Sequence, residues 1–85
     1  MNEIALRIPN MAQLDDTKIC YWKLADETWM LYLPNCGAGG LQNHKVEEHE
    51  DGTITVTPSI LMYGHQKGQK TQRHGFLTRG IWNEC

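Results

Sequence analysis

The chain has 85 residues, which is enough for one domain and too few for two. Its net charge of −2 and charged fraction of 21%, together with clear strand patterns, argue against a disordered chain. No apolar run approaches the ~20 residues that span a bilayer, and the first residues lack the basic start and apolar stretch of a secretory signal. We therefore expect a single β-rich domain over residues 1–85 that stays in the cytoplasm and does not enter a membrane.

The charges and the cysteines are both unevenly distributed. Residues 1–51 contain four basic and nine acidic side chains, whereas residues 52–83 contain four basic side chains and no acidic one. Such a division can orient a partner or speed the encounter with it. The three cysteines, Cys20, Cys36 and Cys85, are odd in number and have unrelated spacings. They indicate a reducing compartment, not a disulfide framework.

Alternating apolar residues predict three strands in the first half of the chain. Residues 3–8 alternate, with Ile4, Leu6 and Ile8 on one face. Residues 11–17 fit either one helical turn or a turn at their Asp-Asp pair. Residues 18–24 and 28–33 are rich in aromatic and branched side chains, and their short connection predicts a hairpin. Residues 28–33 are apolar on both faces, which predicts a central strand or a surface aromatic available for binding.

The middle of the chain combines breakers with the clearest strand. Residues 34–40 are predicted to form a loop, because a proline precedes three glycines in four positions. Residues 41–50 suit an edge strand that ends in a solvated acidic stretch. Asp51-Gly52 predicts a turn. Residues 53–60 then form a half-buried strand, with Ile54, Val56 and Ile60 in the core, and Pro58 marks an edge position or the end of pairing.

The last third is predicted to be a loop followed by a hairpin. Residues 64–73 are polar, basic and interrupted by glycine, which predicts a mobile loop. Residues 74–78 and 81–82 look like two short strands around Arg79-Gly80. The fold class predicted is mainly β, a small twisted antiparallel sheet or compact sandwich of about five or six strands with little or no helix.

No complete catalytic, cofactor or metal motif is present. Zinc sites need paired ligands at short spacing, and no cysteine pair exists, although Cys36, His44, His49 and His74 invite the comparison. Ser59 with His74 is the only tempting nucleophile and base, and a serine on the polar face of a strand is ordinary. We therefore expect no enzyme activity, no cofactor and no metal.

Two charged segments are candidate binding surfaces. Lys67, Lys70 and Arg73 form a basic segment without interleaved aromatic residues, so direct contact with nucleic acid is not expected. The acidic residues 47–51 either form a solvated turn or imitate phosphate charge in a basic protein groove.

The segment Thr-Val-Thr-Pro-Ser-Ile at residues 55–60, followed by His74-Gly75-Phe76-Leu77-x-x-Gly80-Ile81, resembles a family of small uncharacterised phage and prophage proteins. Trp29-x-Leu31-x-Leu33-Pro34 resembles an earlier strand of that family, so the likeness covers about residues 28–82. Some members have a zinc-type cysteine cluster, and some are encoded beside bacterial ubiquitin-like conjugation genes. Here Ala38 and Thr71 stand where two further cysteines would fall, which leaves Cys36 and His74. The resemblance implies the fold and a phage origin, and it lowers the expectation of zinc.

We therefore expect a non-enzymatic phage- or prophage-encoded protein that binds a host protein complex in the bacterial cytoplasm, for example as an anti-CRISPR inhibitor of host defence. One alternative is a metal-binding accessory protein of a ubiquitin-like conjugation system that uses Cys36 and His74. Another is a weak nucleic-acid binder, and an open edge near Pro58 would suit a homodimer. For the aromatic residues, core packing is the other interpretation. The expected partner-binding residues are Trp29, Tyr32, Glu47, Glu48, Glu50, Asp51, Lys67, Lys70, Arg73 and Trp82.

Overall fold

The computed structural model describes residues 2–85, apart from the side chain of Gln66, and it confirms a mainly β fold. The described residues form nine strands and a three-residue 3-10 helix, Met11–Gln13. The strand number exceeds the expected five or six because six of the nine strands have four residues or fewer. The strands are β1 (Asn2–Ile4), β2 (Leu6–Arg7), β3 (Cys20–Lys23), β4 (Trp29–Leu33), β5 (Gly37–Gly40), β6 (Lys45–Glu48), β7 (Ile54–Gln66), β8 (Gln69–Thr78) and β9 (Ile81–Glu84).

The strands belong to two sheets that share the N-terminal segment. The larger sheet has the order β1-β9-β8-β7-β6, and the smaller has the order β2-β3-β4-β5. All pairs are antiparallel except β2 with β3. The single strand predicted at residues 3–8 is wrong, because Ala5 N donates to Gly80 O in one sheet and Leu6 N donates to Ile19 O beside the other. Consequently Ala5 is buried, whereas Ile4 is 71% exposed and Leu6 is also on the surface.

One hydrophobic core lies between the two sheets. Alternate residues of β4, β7 and β8 point into it, as the period of two requires. The prediction that Ile54, Val56 and Ile60 are core residues is confirmed. Cys20 and Trp22 are buried outside this cluster, on the other face of β3. The cluster consists of Ala5, Ile19, Tyr21, Trp29, Leu31, Leu33, Leu41, Ile54, Val56, Ile60, Leu77 and Trp82.

The loop predicted at residues 64–73 is wrong, because these residues complete a long hairpin. The pairing of β7 with β8 continues from Ile60 opposite Gly75 to Gln66 opposite Gln69. Lys67 and Gly68 form the turn, with φ values of 53° and 81° that suit a two-residue hairpin turn. We call residues 61–74 the hairpin arm. Main-chain hydrogen bonds hold it together, so its exposed polar side chains give little pattern in the sequence.

Pro58 lies where the pairing of β7 changes. β6 pairs with β7 only as far as Thr57, and the register between β7 and β8 shifts between Val56 and Ile60. The prediction that Pro58 marks the end of pairing is therefore confirmed on the β6 side. Beyond Thr57 no strand pairs with β7 on that side, so Pro58 also lies at a local edge of the larger sheet, although β7 is an inner strand where β6 pairs with it.

The loop predicted at residues 34–40 is also wrong in part. Gly37–Gly40 forms β5, an edge strand whose backbone pairs with β4. Such pairing needs no side chains, which explains why a glycine-rich segment can supply it. The expected edge strand within residues 41–50 is confirmed as β6, as are the β3–β4 hairpin and the turns at Asp51-Gly52 and Arg79-Gly80. The described residues contain no helix of the length and apolarity that a membrane span needs.

Candidate functional site

Trp82 and Arg73 lie inside the fold and do not form a free binding surface. Trp82 is 0% exposed, and its Nε1 donates to Glu84 at 2.6 Å. The Arg73 guanidinium lies 5.9 Å from the Trp82 ring centroid and forms ion pairs with Glu84 and Glu3. Burial opposes the charge of Glu84, but the hydrogen bonds from Arg73 and Trp82 outweigh it and lower the pKa of this carboxyl. The structure places both side chains where they join β1 and β9 to β8, and contact of either with a partner stays a prediction.

Trp29 and Glu48 also make contacts within the fold, and both contact the side chains of Arg7 and Lys23. Trp29 is 8% exposed and faces the core, with the Arg7 guanidinium 5.1 Å and the Lys23 Nζ 5.3 Å from its ring centroid. Both cations also contact Glu48, at 2.8 Å and 3.2 Å. Their hydrogen bonds hold the pKa of Glu48 below its ordinary value. Trp29 is therefore mainly a core residue whose contact with a partner stays a prediction, and Glu48 joins β6 to the smaller sheet.

The other predicted acidic residues lie at one end of the larger sheet. Glu47, Glu50 and Asp51 are exposed around the β6–β7 turn, close to Arg79. Asp51 accepts hydrogen bonds from the backbone N and the hydroxyl of Thr53, which lower its pKa and fix the turn. We call residues 47–51 the acidic turn.

The other predicted partner-binding residues lie at the tip of the hairpin arm and on the smaller sheet. Lys67 and Lys70 are exposed at the distal end of the hairpin arm. β7 has 13 residues, so at a rise of about 3.3 Å per residue the acidic turn and the arm tip lie about 40 Å apart. Tyr32 is half-buried on the smaller sheet, and its hydroxyl donates to Asp16 O at 3.2 Å. Lys67 and Lys70 are thus separated from the acidic turn along the length of β7.

An apolar surface that was not predicted from the sequence lies between the acidic turn and the arm tip. Leu61, Tyr63 and Phe76 are 44%, 66% and 46% exposed, although each is next to an inward-facing residue of its strand. They share the side of the larger sheet that points away from the core, which we call the outer face. Ile4 lies at the edge of the same face, paired with Ile81. Exposed apolar patches of this kind mark binding surfaces. The signal in the sequence was the apolar run at residues 60–63, which leaves one apolar face outside the core.

Ser59 and His74 meet within this outer face. His74 Nε2 lies 3.0 Å from Ser59 Oγ, and His44 Nε2 donates to Ser59 O at 3.1 Å. Nucleophilic catalysis also needs a group that orients the base. Among the hydrogen bonds of the described residues, none reaches the second ring nitrogen of His74. The pair offers a partner one hydroxyl and one imidazole in the middle of the apolar patch.

The structure does not bring Cys36 and His74, the alternative metal ligands, together. Cys36 Sγ lies 3.6 Å from Met62 O, and Cys36 packs against the core. His74 points to the outer face, on the other side of the hairpin arm. The two side chains cannot share one ion in this arrangement. Residues 2–85 contain no group of three histidine, cysteine or acidic side chains placed to hold a metal.

The outer face of β7 and β8 therefore combines three exposed apolar side chains, a polar Ser59–His74 pair and a cationic distal end. Comparisons of the chain with protein-family models, with curated proteins and with solved structures found no match.

Proposed function

We propose that this protein is a non-enzymatic binding protein that docks on another protein through the outer face of its larger sheet. The observation that carries the proposal is the exposure of Leu61, Tyr63 and Phe76 on a regular sheet surface. Aromatic side chains supply large contact areas with few rotatable bonds and are enriched at the energetic centres of interfaces. The extensive pairing of β7 with β8 holds them in place before a partner arrives, which reduces the entropy cost of binding.

The nature of the partner is proposed from the resemblance to phage and prophage proteins. A small phage protein without chemistry of its own acts by occluding a surface of a host protein complex. Inhibition of a host defence complex in the bacterial cytoplasm, as by an anti-CRISPR protein, is the specific form of this proposal. The acidic turn and the basic arm tip would then orient the bound complex through long-range electrostatics.

A second candidate ligand is single-stranded nucleic acid, and one observation favours it. Tyr63 and Phe76 share the outer face with His65 and Lys70, which are paired across the arm. β7 and β8 contain no carboxylate side chain. Exposed aromatic rings beside cations on a sheet form a stacking platform for unpaired bases. Lys67 and Lys70 were predicted to lie in a loop, where no aromatic residue was expected beside them.

A capture experiment tests the proposal. Tagged wild-type protein, the double variant Tyr63→Ser with Phe76→Ser, and the control Met11→Ser are incubated with bacterial lysate with and without nuclease. Met11 is 60% exposed on the 3-10 helix, so it matches the apolar exposure of the test residues away from the outer face. We expect the wild type and the control to recover one stoichiometric protein complex and the double variant to lose it.

The outcomes separate the two ligands. Recovery that survives nuclease supports the protein partner, whereas recovery that disappears with nuclease and falls steeply with salt supports the nucleic-acid candidate. Equal recovery by the double variant would contradict both, because neither would then use the outer face.

A further inference from the structure

We infer that a second copy of this chain covers the outer face when no other partner is bound, with the two copies packed face to face around a two-fold axis near Leu61 and His74. The inference rests on the proposed function, which makes this face a protein-docking surface. The inference names a second copy of the chain as a further ligand of the outer face. Self-association would then regulate binding, because it would compete with the heterologous partner for the same surface.

The proposed axis lies between two exposed aromatic residues on neighbouring strands. Leu61 lies opposite His74, and Tyr63 lies two residues nearer the arm tip. Ser59 and Phe76 lie two residues to the other side, next to the Ile60–Gly75 pair. A two-fold axis that lies in the interface plane and crosses the strands through Leu61 and His74 therefore places Tyr63 of each copy over Ser59 of the other, with Phe76 as its diagonal neighbour on the adjacent strand. Offset or edge-to-face aromatic pairs favour such contacts beyond the area that they bury.

The charges are complementary under the same rotation. Lys67 lies six residues beyond Leu61 on β7, and Thr55 lies six residues before it. Thr55 pairs with Glu47 of β6, whose side chain is exposed at the acidic end. The rotation therefore sets the basic arm tip of one copy against the acidic turn of the other, and it does so twice. An interface of this kind is self-complementary and closes as a dimer.

The area available indicates a reversible dimer. At a strand spacing of about 4.8 Å and a rise of about 3.3 Å per residue, the five strands of the larger sheet outline about 540 Å². Stable interfaces of standard size bury about 800 Å² per partner. Twisted sheets pack face to face at about −30°, which keeps the central rows in contact and separates the margins. We therefore expect an equilibrium between monomer and dimer that depends on concentration.

Sedimentation equilibrium of the full chain tests the inference. The apparent mass should rise from 9.8 kDa toward twice that value with increasing concentration, and high salt should weaken the association. Lys67→Glu and Glu47→Lys should each weaken the dimer by about tenfold, because the lost pair occurs twice and is replaced by repulsion. The double charge swap should restore most of the affinity, whereas the control Lys18→Glu, on another surface, should leave it unchanged.

Each outcome decides the question. A monomer at every concentration, or a double swap that restores nothing, overturns the inference. If the wild type stays monomeric while Tyr63→Ser with Phe76→Ser still abolishes capture of a partner, the proposed function stands and only the inference fails. If the double serine variant affects neither measurement, both fail. Far-UV circular dichroism of each variant shows that it is folded before it is compared.

Discussion

Replacement of Trp82 by alanine is expected to remove a large part of the protein's stability. Trp82 is fully buried, and a methyl group built on Gly75 would lie 2.8 Å from its ring, so the ring fills the space over β8. Truncation of a buried tryptophan costs about 3–5 kcal/mol, as lost burial plus a cavity. A domain of 85 residues has about 4–13 kcal/mol of unfolding free energy in total, at about 0.05–0.15 kcal/mol per residue. The variant should therefore be marginally stable or unfolded.

Tyr63→Ala is the matched control, because Tyr63 is 66% exposed and should change the free energy of unfolding by less than about 0.5 kcal/mol. Both variants and the wild type are unfolded by heat and by urea and followed by far-UV circular dichroism. Trp82→Ala should lower the midpoint temperature by at least about 12 °C. If the two variants shifted the midpoint equally, the assignment of Trp82 to the core and Tyr63 to the docking surface would be wrong.

Two further predictions concern packing and pH. Gly75→Ala should destabilise the protein by about 1–3 kcal/mol in urea unfolding, because the added methyl group would press on the backbone carbonyl oxygen of Asn83 and on the Trp82 ring. Gly39→Ala should cost less, since its methyl group would meet only the flexible end of Met62 at 3.1 Å; equal costs would contradict the packing described. The pKa of Glu48 is lower in the folded protein than its ordinary value of 4.5, so the ionised carboxylate stabilises the fold at pH values above 4.5. This stabilisation is lost as the pH falls through the lower pKa of the folded protein. Glu48→Gln should therefore be less stable than the wild type at pH 7 and approach it in acid, and a constant difference across urea titrations at several pH values would refute this.

The strands that bury one face could be predicted from the sequence, whereas those held only by the backbone could not. Apolar and polar residues alternate over residues 53–60 because Ile54, Val56 and Ile60 point into the core and their neighbours point away from it. Burial of one face of a strand therefore produces a pattern with a period of two that can be recognised in the sequence. β5 consists of glycine and alanine, and it forms because β4 offers it an open edge. The distal hairpin arm is exposed on both strands and leaves no such pattern. Its two-residue turn and the continuous ladder stabilise it instead.

The candidate site was harder to predict, because an apolar residue on a strand does not reveal which side of its sheet is covered. Trp82 and Trp29 were predicted as anchors for a partner, yet Trp82 packs behind Gly75 and Trp29 lies under two cations. Tyr63 was not among the predicted partner-binding residues, yet it is the most exposed aromatic residue among the large apolar side chains of the surface. Whether each of these aromatic side chains is buried or exposed depends on which side of the larger sheet the smaller sheet covers. That packing is determined by contacts between residues far apart in the sequence.

The register shift in β7 explains how one strand can serve both the core and the outer face. Between Val56 and Ile60 the strand advances four residues, while its partner β8 advances two, from Leu77 to Gly75. The two extra residues are an even number, so the alternation of β7 is the same before and after the shift. A shift of one residue would turn every later side chain to the opposite side of the sheet. Leu61 and Tyr63 would then point into the core and Met62 would point to solvent. The length of the segment around Pro58 therefore determines whether the apolar surface exists, although Pro58 itself contributes nothing to the core.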